Sequence, residues 1–194
     1  MLLERCIATE KNSLITEGKW PALCFSKKDS PEILLIASSD QRIQYLTDLI
    51  GEYSLPLRTD YFASLLRAIV GQQLSVKAAK SIWNRTVQTC GGATPEAVLS
   101  LDEETLISAG LSRQKIIYIR DLSQKVVSGE IVLPELERLE DNQVVSRLTS
   151  VKGIGKWTAE MFLIFSLGRP DVWPLDDLGL RRSVKWLFNF TLLS

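Results

Sequence analysis

Two short stretches carry the residues with chemistry to offer. The first, within Leu148 to Glu160, is Val151-Lys152-Gly153-Ile154-Gly155 followed by Lys156-Trp157-Thr158-Ala159. Two glycines flanking one apolar residue let the backbone turn sharply and bring N–H groups to the surface. A helix starting near Lys156 adds the positive end of its dipole, and the two features together suit a phosphate. Lys152 and Lys156 would strengthen the local positive field in a salt-dependent way. A plain helix–helix connection uses the same glycines, so the turn alone decides nothing.

The second stretch, Pro174-Leu175-Asp176-Asp177-Leu178-Gly179-Leu180, puts two carboxylates just after a proline and just before a helix. One of them is expected to cap that helix by accepting from its free N–H groups. A carboxylate in that place is favoured in its ionised form and stays negative at neutral pH. Capping explains either aspartate taken alone; an acid about twenty residues beyond an anion-gripping turn suggests a site.

Other chemistries are narrowed by composition. Histidine is absent from the 194 residues, which removes Ser–His and Cys–His pairs and histidine-ligated metals. Cys6, Cys24 and Cys90 are too few and scattered for a four-cysteine metal or iron–sulfur site, so no metal or cofactor is expected. Lys plus Arg and Asp plus Glu number 23 each, so net charge neither advertises nor excludes a nucleic-acid partner. An apolar share of 45% and a charged share of 24% suit a soluble globular protein of one domain or two lobes. The opening residues lack a secretory pattern, and no apolar run nears the roughly eighteen residues that a membrane span needs. A cytoplasmic protein with reduced thiols is the expectation.

The elements that position these stretches are read mostly as helices. Residues 1–38 are expected to form a segment of short strands, at Leu14–Thr16, Ala22–Phe25 and Ile33–Ile36. Ser38-Ser39-Asp40 then offers caps for a helix through Ile43, Leu46, Leu49 and Ile50. Asp60 caps a run through Phe62, Leu65, Leu66, Ile69 and Val70, and Ser75 caps Val76 to Thr89. Thr94-Pro95-Glu96 sets a cap, a first-position proline and an acidic first turn in order. Further helices start at Asp102 and Ser112, and two short ones span Leu133–Glu140 and Asp141–Leu148. Residues 39–194 therefore read as an all-α domain of many short helices.

The segments Leu148–Ala159 and Pro174–Leu180 resemble the hairpin and aspartate signature of the helix–hairpin–helix DNA glycosylase superfamily. Ile69-Val70-Gly71-Gln72-Gln73-Leu74-Ser75-Val76-Lys77-Ala78-Ala79 and Gly110-Leu111-Ser112-Arg113-Gln114-Lys115 resemble its DNA-3-methyladenine glycosylase II branch. The resemblance covers roughly Asp40 to Phe188 and implies a two-lobed helical fold that excises an alkylated, flipped-out purine from double-stranded DNA, as a monomer and without a metal. It implies that Asp177 is catalytic and that Asp176 is its neighbour or cap. Val151, Lys152, Gly153, Ile154, Gly155, Lys156 and Thr158 are implied to contact DNA, as are Gln72, Gln73 and Ser75 in the Gln-Gln turn. Gln73 is favoured over Leu74 to fill the gap left by the extruded nucleotide; a polar loop is the plainer reading of that turn.

Members that also cut the strand carry a lysine directly before the Thr-Ala of this motif, where this chain has Trp157. The resemblance therefore implies a glycosylase without lyase activity. Lys156 is one step back along the helix and points about 100° away. Trp157 can instead stack on a cationic purine or pack in the core, and Trp173, beside the aspartate, is a second candidate for the base pocket. The family continues past the helix holding Trp186 with a Trp-x-Pro-Tyr-Arg-like motif that does not occur before Ser194. A truncated C-terminus is thus expected, and with it an alternative: a non-catalytic DNA-binding module. A glycosylase for other damaged bases would differ only in pocket shape.

Overall fold

The computed structural model describes residues 22–26 and 31–189. The chain divides between Leu57 and Arg58 into two compact units, well past the boundary expected at 38/39. In the first unit, strand β1 (Ala22–Ser26) pairs antiparallel with β2 (Tyr53–Pro56), Leu23 opposite Leu55, with an irregularity between Cys24 and Ser26. Between them helices α1 (Pro31–Ser39) and α2 (Gln41–Ile50) pack together. Asp40 caps α2, accepting from the Arg42 amide at 2.8 Å and from its guanidinium at 3.0 and 2.6 Å. Those bonds hold the Asp40 carboxyl down at about 2.

The strand at Ala22–Phe25 is present, whereas Ile33–Ile36 lies inside α1. Pro31-Glu32 is a helix start, and a four-residue apolar run cannot tell a strand from a helix by its period alone. Strand β2 was not expected, and Leu14–Thr16 lies outside the described residues.

The second unit is helical: α3 (Tyr61–Gly71), α4 (Val76–Cys90), α5 (Pro95–Ser100), α6 (Glu103–Ser108), α7 (Arg113–Val127), α8 (Asp141–Thr149), α9 (Lys156–Phe165) and α10 (Leu178–Phe188). Leu133–Arg138 winds as a 3-10 turn, where a first-turn proline and a short span favour the tighter helix. The capping residues foreseen at Asp60, Ser75, Thr94, Asp102 and Ser112 each accept a hydrogen bond from the third residue of their helix. Such caps satisfy donors that the helix cannot, and each is worth about 1 kcal/mol.

Helix α3 is the centre of this unit. Phe62, Leu65, Leu66, Ile69 and Val70 are all buried, and α3 packs against α4, α7 and α9. Around it lie Ile116, Ile119 and Leu122 of α7, Val144 and Leu148 of α8, and Ala159, Phe162 and Leu163 of α9. Each fully buried Leu or Ile contributes about 1.5–3 kcal/mol. A buried bond of 2.8 Å between the Ser64 and Ser166 hydroxyls ties the first turn of α3 to the end of α9. Helices α8 and α9 also pack on each other, so the turn joining them is anchored on both sides. Helix α10 differs: none of its residues is fully buried.

Candidate active site

The α8–α9 turn runs from Ser150 to Gly155, and its two apolar residues, Val151 and Ile154, are buried in the core. Between them Gly153 has φ +81°, a left-handed conformation that costs a side-chain-bearing residue about 1–2 kcal/mol. A Cβ at Gly153 would lie 2.1 Å from Cδ2 of Tyr118 on α7, so the glycine also lets that ring press on the turn. Two more groups hold the backbone from behind. The Gln72 amide donates to the Gly153 carbonyl at 2.7 Å, and the Asp121 carboxylate of α7 accepts from the Lys152 amide at 2.9 Å.

These bonds sort the turn's amides. Lys152 N–H is spent on Asp121, and Ile154 N–H on the Val151 carbonyl. Among the described residues the N–H groups of Gly153 and Gly155 have no such partner, and those of Lys156 and Trp157 open α9, where no intrahelical acceptor exists. A Cβ on Gly155 would meet nothing within 4 Å, so its face is bare. Unpaired amides at a helix N-terminus are groups of the kind that can hold an anion. The side chains add less field than their number suggests. Lys152 Nζ lies 3.8 Å from Asp121, and Lys156 Nζ 3.6 Å from Glu160.

Other expected contacts are placed differently. Val151, Ile154 and Thr158 are buried, so their side chains are not placed to meet a ligand, and the N–H groups of Val151 and Ile154 are taken by the Leu148 and Val151 carbonyls. Gln72 is turned inward as a strut, whereas Gln73 is exposed at the tip of the α3–α4 turn with φ +57°, a strained value for a residue other than glycine. Ser75 caps α4. Lys115, beside the cap Ser112, reaches the Val70 carbonyl at 2.7 Å, and burial lowers its pKa. It closes the C-terminal end of α3 rather than waiting for a phosphate.

Asp177 caps α10. Its Oδ1 accepts from the Leu180 amide at 2.7 Å and its Oδ2 from the Trp157 indole N–H at 2.9 Å. The Leu180 amide, the Trp157 indole and the Gly179 amide together hold its carboxyl below the usual carboxylate range, against a smaller opposing push from desolvation. It is therefore an anion at neutral pH. The preceding Pro174 carbonyl accepts from the Asp177 amide at 3.0 Å, and Asp176 is exposed beside it.

Asp177 also lines a hollow of about 290 Å³ with Met161, Ile164, Phe165, Trp173 and Leu180 among its other walls. The hollow is shallow and open, lined mostly by apolar side chains with Asp177 as its one charged group. Trp173 lies in its wall. Trp157 does not line the hollow; its ring is 46% exposed and its N–H is turned to Asp177. Tyr118 and Asp121, which brace the hairpin, carry no local signal, because they sit at ordinary positions in the middle of a helix.

Residues 66–191 match the family described as HhH-GPD superfamily base excision DNA repair protein. The chain is 38% identical over 160 residues to DNA-3-methyladenine glycosylase 1 of Schizosaccharomyces pombe, covering 78% of this chain and 70% of that one. It superposes on the crystal structure of a DNA-3-methyladenine glycosidase from Bacillus halodurans with TM-score 0.78 and 44% identity, over 87% of this chain and 77% of that chain. The Schizosaccharomyces pombe 3-methyladenine DNA glycosylase in complex with abasic DNA follows at TM-score 0.73 and 35% identity, over 82% and 81% of the two chains. Two further curated relatives, from Bacillus subtilis and Saccharomyces cerevisiae, are spanned over only 62% and 45% of their own length. The chain belongs to the HhH-GPD superfamily of base excision DNA repair proteins.

Proposed function

We propose that this chain is a DNA glycosylase that hydrolyses the N-glycosidic bond of alkylated purines such as 3-methyladenine in double-stranded DNA, without lyase activity. One observation carries the reading: an ionised carboxylate, Asp177, fixed by two donors, in the wall of a small apolar hollow. The relatives named as 3-methyladenine glycosylases, and the one bound to abasic DNA, support the same substrate class.

The chemistry follows from what the residues offer. An alkylated purine is cationic, so the bond from its nitrogen to the sugar C1′ breaks with both electrons going to a base that leaves neutral. Positive charge then develops on the sugar, where the Asp177 carboxylate stabilises it. A water adds to C1′, loses a proton and completes the hydrolysis. Apolar walls suit the flat face of the base, and the Trp173 ring attracts a cationic one. The Gly153 and Gly155 amides hold a phosphate of the strand, and Gln73, strained and exposed at its turn, fills the gap left by the extruded nucleotide. No ε-amino group stands next to Asp177 at the position of Trp157, so no Schiff base forms with the sugar. The chain acts as a monomer in the cytoplasm, at the nucleoid in a bacterium; no helix among the described residues is long and apolar enough to cross a membrane.

The test is base release from methylated duplex DNA. Wild-type protein is expected to free 3-methyladenine, and Asp177→Asn to lose at least a hundredfold in release rate while keeping duplex affinity within about twofold, as removal of one transition-state charge stabiliser predicts. Duplex binding without release by the wild type would favour the non-catalytic module instead. A covalent adduct trapped with borohydride would refute the absence of lyase activity.

A further inference from the structure

Trp157 is exposed where the residues that follow it are not. Thr158, Ala159 and Glu160, the next residues of α9, are all buried, while the Trp157 ring is 46% exposed and stands outside the walls of the hollow. Its indole Nε1–H donates to Asp177 Oδ2 at 2.9 Å. The other carboxylate oxygen is taken by the Leu180 amide at 2.7 Å. With one donor on each oxygen, from two different helices, the carboxylate cannot rotate about its own bond, and its unshared lone pairs keep one direction.

Resting on the glycosylase reading above, we propose that Trp157 is a positioning residue for Asp177, acting through its indole N–H rather than by stacking on the base. A single cap from Leu180 fixes one oxygen and leaves the carboxylate plane free to turn. The indole supplies the second point, from the helix whose N-terminus holds the DNA backbone. The α9 start thus links the hairpin that grips the strand to the acid that acts on the sugar. Substrate in the cleft excludes water from this bond and strengthens it.

The charged residues next to Asp177 in sequence are Asp171 and Asp176 before it and Arg181 and Arg182 after it on α10, while on α9 Lys156 is paired with Glu160. The groups that lower its pKa are all neutral donors, the Leu180 amide, the Trp157 indole and the Gly179 amide. Removing the indole N–H is therefore read directly in the acid limb of the pH–rate profile, which should move to higher pH as the carboxyl binds its proton more readily.

Two variants separate positioning from packing and stacking. Trp157→Phe removes both the donor and part of the ring. A benzothienyl-alanine installed at position 157 keeps the bicyclic shape and π face, with sulfur in place of N–H. We expect both to release base about tenfold more slowly, the scale set by one hydrogen bond to a charged group. Duplex affinity should stay within about twofold, thermal midpoint should hold for the analogue, and the acid limb should shift upward in both. An analogue with the wild-type rate and pH profile would overturn the proposal, whatever the Phe variant does. Asp177→Asn, measured alongside, keeps the outcomes apart. If the wild type releases no base, the glycosylase reading fails; if Asp177→Asn releases base at the wild-type rate, Asp177 is not the acting carboxylate. If Asp177→Asn is inactive while the analogue matches wild type, only the positioning role fails.

Discussion

From Val151 to Gly155 the backbone is held from behind by Tyr118, Asp121 and Gln72, and its apolar residues belong to the core. From Val172 to Leu178 only Pro174 is buried and Val172 packs against the core, while Asp177 is held by hydrogen bonds. Trp173, Leu175 and Leu178 are each more than 60% exposed, and α10 buries no residue fully. On the proposed glycosylase reading both segments serve one site, yet one is part of the packing and the other leans on it. A surface that reads phosphate through backbone amides needs those amides at fixed positions, which only a packed turn provides. A carboxylate needs one correct orientation, which two donors suffice to set. Stability and function should therefore be inseparable in the hairpin and separable around Asp177.

The sharpest way to break that contrast is alanine at each hairpin glycine. Gly153→Ala would put a methyl 2.1 Å from the Tyr118 ring at φ +81°. Overpacking and the left-handed backbone together should cost about 2–5 kcal/mol, enough to lower the thermal midpoint by many degrees. Gly155→Ala meets nothing within 4 Å and sits at φ −91°, so its midpoint should hold within about 0.5 kcal/mol. Its methyl instead stands where a phosphate must approach, and duplex affinity should fall. Equal melting of the two variants, followed by circular dichroism, would show that the turn is not braced by Tyr118. Removing the ring in a Tyr118→Ala, Gly153→Ala pair should recover part of the loss, as coupled neighbours do.

That bracing is what the sequence does not display. The helices of residues 58–189 announce themselves through local chemistry: Asp60, Ser75, Thr94-Pro95, Asp102 and Ser112 cap where such residues cap. The hairpin glycines are legible for the same reason, since turns are written in adjacent residues, whereas adjacent residues show only that one aspartate caps α10; the cap is Asp177, which accepts from the Leu180 amide, and not Asp176. Tyr118 and Asp121 are not, because their meaning lies in a turn some thirty residues further on, as in the Asp121–Lys152 bond with its separation of 31. Strand β2 escaped likewise, its pairing residues being Ala22–Ser26 on the far side of two helices. The Trp157 indole bond is a third case. Its ring allowed stacking or burial, and only the approach of α10 shows which atom of it is used. Gln72 gives a graded check on the brace. Gln72→Leu deletes the 2.7 Å bond to the Gly153 carbonyl and should cost about 1 kcal/mol in a urea titration, well short of Gly153→Ala.

The smallest effect should come from the Asp177 cap, and it is visible only in acid. Asn caps a helix about as well as Asp, so Asp177→Asn and wild type should unfold at nearly the same urea concentration at neutral pH, even though the variant is expected to be inactive. The Asp177 carboxyl is held below its ordinary value of 3.8 by the Leu180 amide, the Trp157 indole and the Gly179 amide. A depressed folded pKa contributes stability that is fully present above the unfolded pKa and is lost as the pH falls through the folded one. The wild type should therefore lose ground to Asp177→Asn below about pH 4, while the other carboxylates, common to both proteins, cancel in the difference. A difference that stays flat into acid would mean that the donors do not grip the carboxylate in solution. The lightly packed half of the site would then lack the two fixed points that distinguish it from a loose loop.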